Sequence, residues 1–444
     1  MRRLASRPNS RQHHAIDIAL TEILRVKSQP CSLTSCRAGA IAAALAALSL
    51  WGCGSAPPPA AATMQGVPAP SAAQDAPAMQ GMPPAGAAVS PPVAVPVPPP
   101  PQAAAPAPAA APERVPARDA KRDFTAEMAG RGLDPSEVAR LLDQARYSET
   151  VARLVLPPSS PTVRSWPRYR SRFIESRRIK EGLAFQEEHA QTLARAEDRY
   201  GVPASIIVSV IGVETFYGRV TGNFRVIDAL STLAFNYPPQ ARSDRSAFFR
   251  EQLAQFLVWC KETGSDPLAV KGSYAGAMGL PQFMPGSLRK FAVDGDGDGR
   301  IDLAGSPADA ILSVAHFLVE HGWQRGQPVF LPINLPADPA GLVDGGLKPT
   351  LSWAQLQAAG ARAQKVAGMS EEWRDWPLAV IDLYDGATGT TEYRVAAPNF
   401  FALTEYNRSY FYAASVTDLA VELERRNRVA SRIRVGQLNT PVDR

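Results

Sequence analysis

Nineteen of the sixty residues from Pro57 to Pro116 are proline, mixed with alanine, and Asp75 is the only charge before Glu113. Proline lacks the amide hydrogen that helices and sheets need, and alanine offers too little apolar area to collapse around. This stretch therefore builds no core, and it separates a short N-terminal part of the chain from a long C-terminal one. As alternating extended and flexible pieces it makes a semi-stiff tether, with an extended reach of roughly 190 Å at the polyproline rise.

Before the tether, residues 38–50 form an apolar run of thirteen residues directly after Arg37. That is too short to cross a bilayer as a helix and has the form of a secretory signal. It ends in Leu50-Trp51-Gly52-Cys53, which resembles a bacterial lipobox, although Trp51 replaces the small or aliphatic residue usual there. The expected organisation is a lipoprotein-type signal over 1–52, a disordered tether over 53–117 starting at a lipidated Cys53, a globular domain over 118–435 and a tail over 436–444. Gly54 lacks the acid that resembles an inner-membrane retention signal, so the expected location is the periplasmic face of the outer membrane.

The formal charge of +5 also belongs to the signal, since residues 1–52 hold seven of the 47 Lys and Arg and two of the 42 Asp and Glu. What remains has forty of each and is neutral, which gives no support for a nucleic-acid partner. Of the four cysteines, Cys31 and Cys36 leave with the signal, Cys53 carries lipid, and Cys260 sits on the apolar stripe of a predicted helix. No disulfide framework is available, so core packing must hold the domain.

From Arg118 onward helical periodicity dominates, over Ser136–Tyr147, Phe185–Tyr200, Ser246–Lys261, Pro307–Glu320, Ser352–Ala359 and Val416–Arg426. β-Prone pieces occur at Leu378–Tyr384 and Thr391–Val395. The expected class is mainly α (α+β), a helical domain with a small strand element.

Within it, Val202 to Gly218 carries one charge, Glu214. Pro203 suits a helix start and Gly218 the position just past a helix end, predicting one helix of about four turns. Ile207, Val210, Ile211 and Glu214 then share a stripe facing the core. A carboxylate there loses hydration and lies at the negative end of the helix dipole, and both effects favour its protonated form. Such an acid can donate a proton near neutral pH. A structural alternative is a Glu that reaches past its neighbours to water or pairs with a core arginine.

Two further stretches carry chemistry. In Gly272 to Gly286, four glycines are interleaved with Tyr274, Met278 and Phe283 around Gln282. Backbone can approach a ligand closely there, and apolar faces beside amide donors and acceptors suit sugar rings. Asp294-Gly-Asp296-Gly-Asp298-Gly-Arg300 matches the first half of an EF-hand loop, with oxygens at positions one, three and five and the Arg300 carbonyl at seven. Position twelve is Gly305, and Asp309 is the nearest substitute for the missing acid. Crowded carboxylates repel unless a cation neutralises them, so calcium is expected.

Ile211-Gly-Val-Glu-Thr215 with Tyr217-Gly218, Leu233 to Pro238, Ala275 to Pro285, the Asp-Gly loop with Pro307 to Ala310, and Tyr406-Asn407-Arg408-Ser409 together resemble the membrane-bound lytic transglycosylase B family. The resemblance covers residues 118–435. It implies a lysozyme-like domain that cleaves peptidoglycan between N-acetylmuramic acid and N-acetylglucosamine and leaves 1,6-anhydromuramyl ends, with no organic cofactor. It also implies Glu214 as sole catalytic acid and Tyr169, Ser273, Gln282, Tyr406 and Asn407 as substrate contacts. Asp294, Asp296, Asp298, the Arg300 carbonyl and Asp309 would form a structural calcium site. The partners implied are glycan strands and, through lipid, a membrane; cell-wall synthesis proteins are not identified. A hydrolytic muramidase and a non-catalytic wall-binding lipoprotein are the alternatives, and the former needs a second carboxylate near Glu214, with Asp228 the nearest later acid.

Overall fold

The computed structural model describes residues 117–156, 163–241, 243–366 and 369–438. The expected signal, Cys53 and the expected tether up to residue 116 lie outside them, as do residues 439–444 of the expected tail. The chain begins with α1 (Ala117–Gly130), α2 (Pro135–Gln144), α3 (Glu149–Leu154) and α4 (Trp166–Arg170). The last three start where an Asp or Ser side chain, from Asp134, Ser148 and Ser165, accepts a first-turn amide. Then come α5 (Ser176–Glu188), α6 (Ala190–Tyr200) and α7 (Ala204–Thr215). The single helix expected over Phe185–Tyr200 is thus two, broken at His189, and the first starts at Ser176.

After α7, strand β1 (Phe224–Arg225) pairs with β2 (Lys271–Gly272) around α8 (Val226–Phe235) and α9 (Ser246–Thr263). The sequence patterning did not reveal α8, because eight of its ten residues are buried and no polar face sets a period. Next come α10 (Pro285–Phe291) and α11 (Pro307–Glu320). The last third holds β3 (Phe330–Leu331), β4 (Ile333–Asn334), α12 (Trp353–Ala358), β5 (Arg362–Ala363), β6 (Ala379–Asp385), β7 (Thr390–Ala396), α13 (Pro398–Tyr406) and α14 (Tyr410–Leu438).

Helix α7 lies at the centre, packed by α5, α6, α11 and α14. Every residue from Ser205 to Gly212 is buried, so the helix has no solvent face and the expected single stripe is a fully enclosed cylinder. Ile207, Val208, Val210 and Ile211 are completely excluded from water, each worth about 1.5–3 kcal/mol of transfer free energy. Cys260 is buried in the same core as a free thiol.

The antiparallel sheet β3-β7-β6 has two covered faces. Ala379, Ile381 and Leu383 of β6 join the helical core, whereas Val380 of β6 and Val395 of β7 join Leu331, Trp353, Leu356 and Trp373 in a second, smaller core. Strand periodicity of two makes this possible, since successive side chains leave opposite faces.

Candidate active site

Glu214 occupies the last turn of α7, and the backbone turns sharply just beyond it. Phe216, Tyr217 and Gly218 have φ of 52°, 58° and 84°. The helix therefore ends two residues before the glycine expected to terminate it. A left-handed bulky residue costs on the order of 1–2 kcal/mol, and such strain gathers at functional sites. Among the described residues the only other non-glycine with positive φ is Gln282, at 52°. Thr215 ties the two strained segments together: its hydroxyl bonds the Leu280 carbonyl at 2.9 Å and accepts the Gly218 amide at 3.0 Å.

The Glu214 side chain is partly buried, and one protein hydrogen bond reaches it: the Tyr412 hydroxyl donates to Oε1 at 2.6 Å. Burial raises its pKa to about 7, against the smaller lowering effect of that hydrogen bond. Tyr412 stacks on Tyr406, with ring centroids 6.3 Å apart and planes 14° apart. The Tyr406 hydroxyl donates to the Pro281 carbonyl at 2.8 Å, which joins α13 to the glycine-rich segment. Tyr169 packs on Phe411 at 5.5 Å. Burial and the field of Glu214 push the pKa of Tyr169, Tyr406 and Tyr412 up, so all three keep their protons at neutral pH and present donors or neutral rings to the acid.

Glu214, Tyr169 and Tyr406 thus belong to one neighbourhood. Gln282 stands on the adjoining wall, its amide donating to the Thr221 and Gly279 carbonyls at 3.1 and 2.9 Å. Ser273 closes a turn on the same segment, where its hydroxyl accepts the Ala277 amide at 3.0 Å. Asn407 lies exposed at the end of α13. Two residues were not legible from sequence. Tyr412 is one, although the run Tyr410-Phe411-Tyr412 is a local aromatic signal. The other is Arg178, which donates to the Gly212 carbonyl near the end of α7 and lies 4.6 Å over the Phe216 ring. Asp228 is bound in both directions, by a two-pronged pair with Arg225 at 2.6 and 2.8 Å and by the Arg146 amide. It is a structural ion pair.

The acidic loop gathers Asp294, Asp296 and Asp309, each with a carboxylate oxygen within 4.8 Å of the others. Asp309 enters from the first turn of α11 and accepts the Gly295 and Asp302 amides, both at 2.7 Å. Ser306 caps α11 through the Asp309 amide and donates to Asp296 at 2.7 Å. A side chain at Gly295 would meet the Ala308 carbonyl at 2.3 Å, so the loop can lie this close only with glycine there. Asp298, expected as a ligand, is not among these three, and its carboxylate accepts the Arg300 amide at 2.8 Å. The donor set is three hard carboxylates, which fits calcium.

Residues 116–421 match the family model described as the transglycosylase SLT domain. Membrane-bound lytic murein transglycosylase B of Escherichia coli K12 is 41% identical over 305 residues, which span 66% of this chain and 80% of that protein. The soluble lytic transglycosylase SltB1 of Pseudomonas aeruginosa is 42% identical, with a TM-score of 0.62 over 69% of this chain and 98% of its own. The Escherichia coli lytic transglycosylase Slt35, solved in complex with calcium, is 39% identical, with a TM-score of 0.60 over 69% of this chain and 92% of its own.

Proposed function

Because the chain belongs to the transglycosylase SLT domain family, as a lytic murein transglycosylase of lysozyme-like fold, we propose that it cuts peptidoglycan without water, with Glu214 as its single acid and base. The bond is the β-1,4 link from N-acetylmuramic acid to N-acetylglucosamine. Protonated Glu214 gives its proton to the glycosidic oxygen as the anomeric C–O bond breaks and positive charge develops on the ring. The carboxylate then takes the proton of the C6 hydroxyl of the same muramyl ring, and that oxygen bonds to the anomeric carbon. The products are a free 4-hydroxyl and a 1,6-anhydro end, and Glu214 is protonated again.

The observation that carries this reading is a lone carboxylate with a pKa of about 7. The Tyr412 hydroxyl bond to Oε1 steadies the carboxylate between the two proton transfers. With Asp228 committed to Arg225, it is not free to activate water. An internal hydroxyl needs no such second acid, since it is already held beside the reacting carbon. Tyr169, Ser273, Gln282, Tyr406 and Asn407 are the proposed sugar contacts, from the rings and the glycine-rich wall around Glu214.

A calcium ion held by Asp294, Asp296 and Asp309, with the Arg300 carbonyl, would brace the loop against α11 by neutralising three acids. Its role is stability. No described helix is long and apolar enough to cross a membrane. Attachment is proposed through acylated Cys53 at the periplasmic face of the outer membrane, and a Cys53→Ala protein that stayed equally membrane-bound would refute it. The main test is the mass of products released from purified peptidoglycan. Anhydro ends are lighter than hydrolysed ends by one water, and release of hydrolysed ends alone would replace this reading with the muramidase.

A further inference from the structure

The Tyr217 ring fills a slot between two helices. A Cβ placed on Gly182 of α5 would meet its hydroxyl at 2.4 Å and its Cζ at 3.0 Å. A Cβ on Gly212 of α7 would meet the hydroxyl at 2.6 Å and the ring carbons Cε1 and Cζ at 2.7 Å. Two side chains are therefore absent where Tyr217 enters. Its hydroxyl is buried there and has no hydrogen-bond partner among the described residues, so the ring is placed by shape. The same residue has φ of 58°, three positions after Glu214, and comes directly after Phe216, whose ring lies under the Arg178 guanidinium. Arg178 in turn holds the carbonyl of Gly212, one wall of the slot.

We infer that Tyr217 is a positioning residue for Glu214: wedged between Gly182 and Gly212 and backed by Arg178, it locks the left-handed exit of α7 and fixes where the acid points. The last turn of a helix frays when nothing holds it. Here the wedge fastens the chain immediately after the acid to α5, and a one-turn unwinding of α7 would carry Glu214 away from Tyr412. This role rests on the proposed function, in which Glu214 is the reacting acid.

The geometry makes the two glycines unequal, and that supplies the test. At Gly182 the worst contact is with the hydroxyl, which Tyr217→Phe removes. At Gly212 ring carbons remain at 2.7 Å after that change. Turnover on purified peptidoglycan, its pH profile and melting temperature are measured for G182A, G212A, Y217F, G182A/Y217F, G212A/Y217F and Y217L. We expect G182A and G212A each to lower kcat at least tenfold with KM little changed. Adding Y217F should restore at least half of the lost kcat and melting temperature in G182A and little in G212A. Y217L, which empties the slot without crowding it, keeps the wedge testable if the alanine variants do not fold. It should fold, lose kcat and move the alkaline limb of the profile below pH 7, because a Glu214 released from its site titrates closer to an ordinary carboxylate.

Equal rescue of both glycine variants, no rescue of G182A, or a folded Y217L with wild-type kcat and profile would overturn the inference. E214Q measured alongside separates the two ideas. Wild-type turnover in E214Q refutes the Glu214 reading, whereas an inactive E214Q beside a fully active Y217L refutes only the wedge.

Discussion

Two carboxylates lie within this domain under opposite conditions. Glu214 sits in the last turn of α7, at the negative end of a helix, and receives one hydroxyl hydrogen bond. Asp309 sits in the first turn of α11, at the positive end of another, is 1% exposed, and receives backbone amides on both oxygens. Helix-end charge disfavours the ionised form at Glu214. The donors differ as well, two backbone amides at Asp309 against one hydroxyl at Glu214. A buried acid given donors becomes an anchor for the backbone that supplies them. One deprived of donors remains able to exchange a proton.

Removing each acid tests the contrast most severely. Glu214→Gln preserves size and can accept from Tyr412 but cannot cycle a proton, so turnover should fall by about two or more orders of magnitude while glycan binding persists. Near-normal turnover would mean that another group is the acid. Asp309→Ala strands the buried amide of Gly295 and removes the acceptor of the Asp302 amide, and a stranded buried donor costs about 1–3 kcal/mol. The variant should melt several degrees lower and lose any calcium-dependent rise in melting temperature, while turnover at low temperature survives. A metal that binds only the folded state at 100 times its Kd adds about 2.7 kcal/mol. Asp296→Ala should lose that rise and Asp298→Ala should keep most of it. Loss of the rise in both would mean that Asp298 is a ligand too, and its survival in both would mean that the cluster does not hold the ion.

Glu214 also makes stability depend on pH. Glu214 has a folded pKa of about 7 against an ordinary 4.5, so between those values the folded protein binds more protons than the unfolded chain. Stability then falls as pH rises through that window, because the native state resists giving up a proton that the unfolded chain releases freely. Glu214→Gln removes this liability. Its melting temperature should match the wild type near pH 4 and exceed it near pH 8, by a free energy on the order of 3 kcal/mol. A constant difference across pH would show that Glu214 titrates normally in the fold.

How much of this was readable beforehand depended on distance along the chain. Glu214 announced itself as the lone charge in an apolar run, and the acidic loop by its alternate spacing, because both are local patterns. Tyr412 lies 198 residues from the acid it touches, and no periodicity records such a contact. The end of α7 was misplaced for a related reason. Gly218 is the residue that accepts positive φ at no steric cost, whereas Phe216 and Tyr217 adopt it where Arg178 lies over the Phe216 ring and Gly182 and Gly212 leave room for the Tyr217 ring. Asp298 shows the limit of a spacing rule, which counts ligand positions along the chain and not which carboxylates the fold brings within reach of one another. The sheet was found near its observed bounds, but alternation could not reveal that its second face covers a separate core around Trp353 and Trp373.

The smallest effect is also the finest probe of the contrast, because it changes the number of donors on Glu214 and leaves the acid in place. Tyr412→Phe removes the one hydroxyl that lowers the Glu214 pKa and leaves burial, which raises it, unopposed. The change should mark a pH profile in two opposite ways. The carboxylate formed after the first proton transfer loses a charge-assisted bond, so peak turnover should fall about tenfold, in line with roughly 1.5–3 kcal/mol for a hydrogen bond to a charged group less some replacement by water. Glu214 also holds its proton to higher pH, so the alkaline limb of activity should move upward, by less than about one unit. A loss of turnover with no movement of the limb would mean that Tyr412 only packs against Tyr406. A limb moved to lower pH would mean that opening the site to water outweighs the lost bond, and that burial of Glu214 depends on Tyr412 itself.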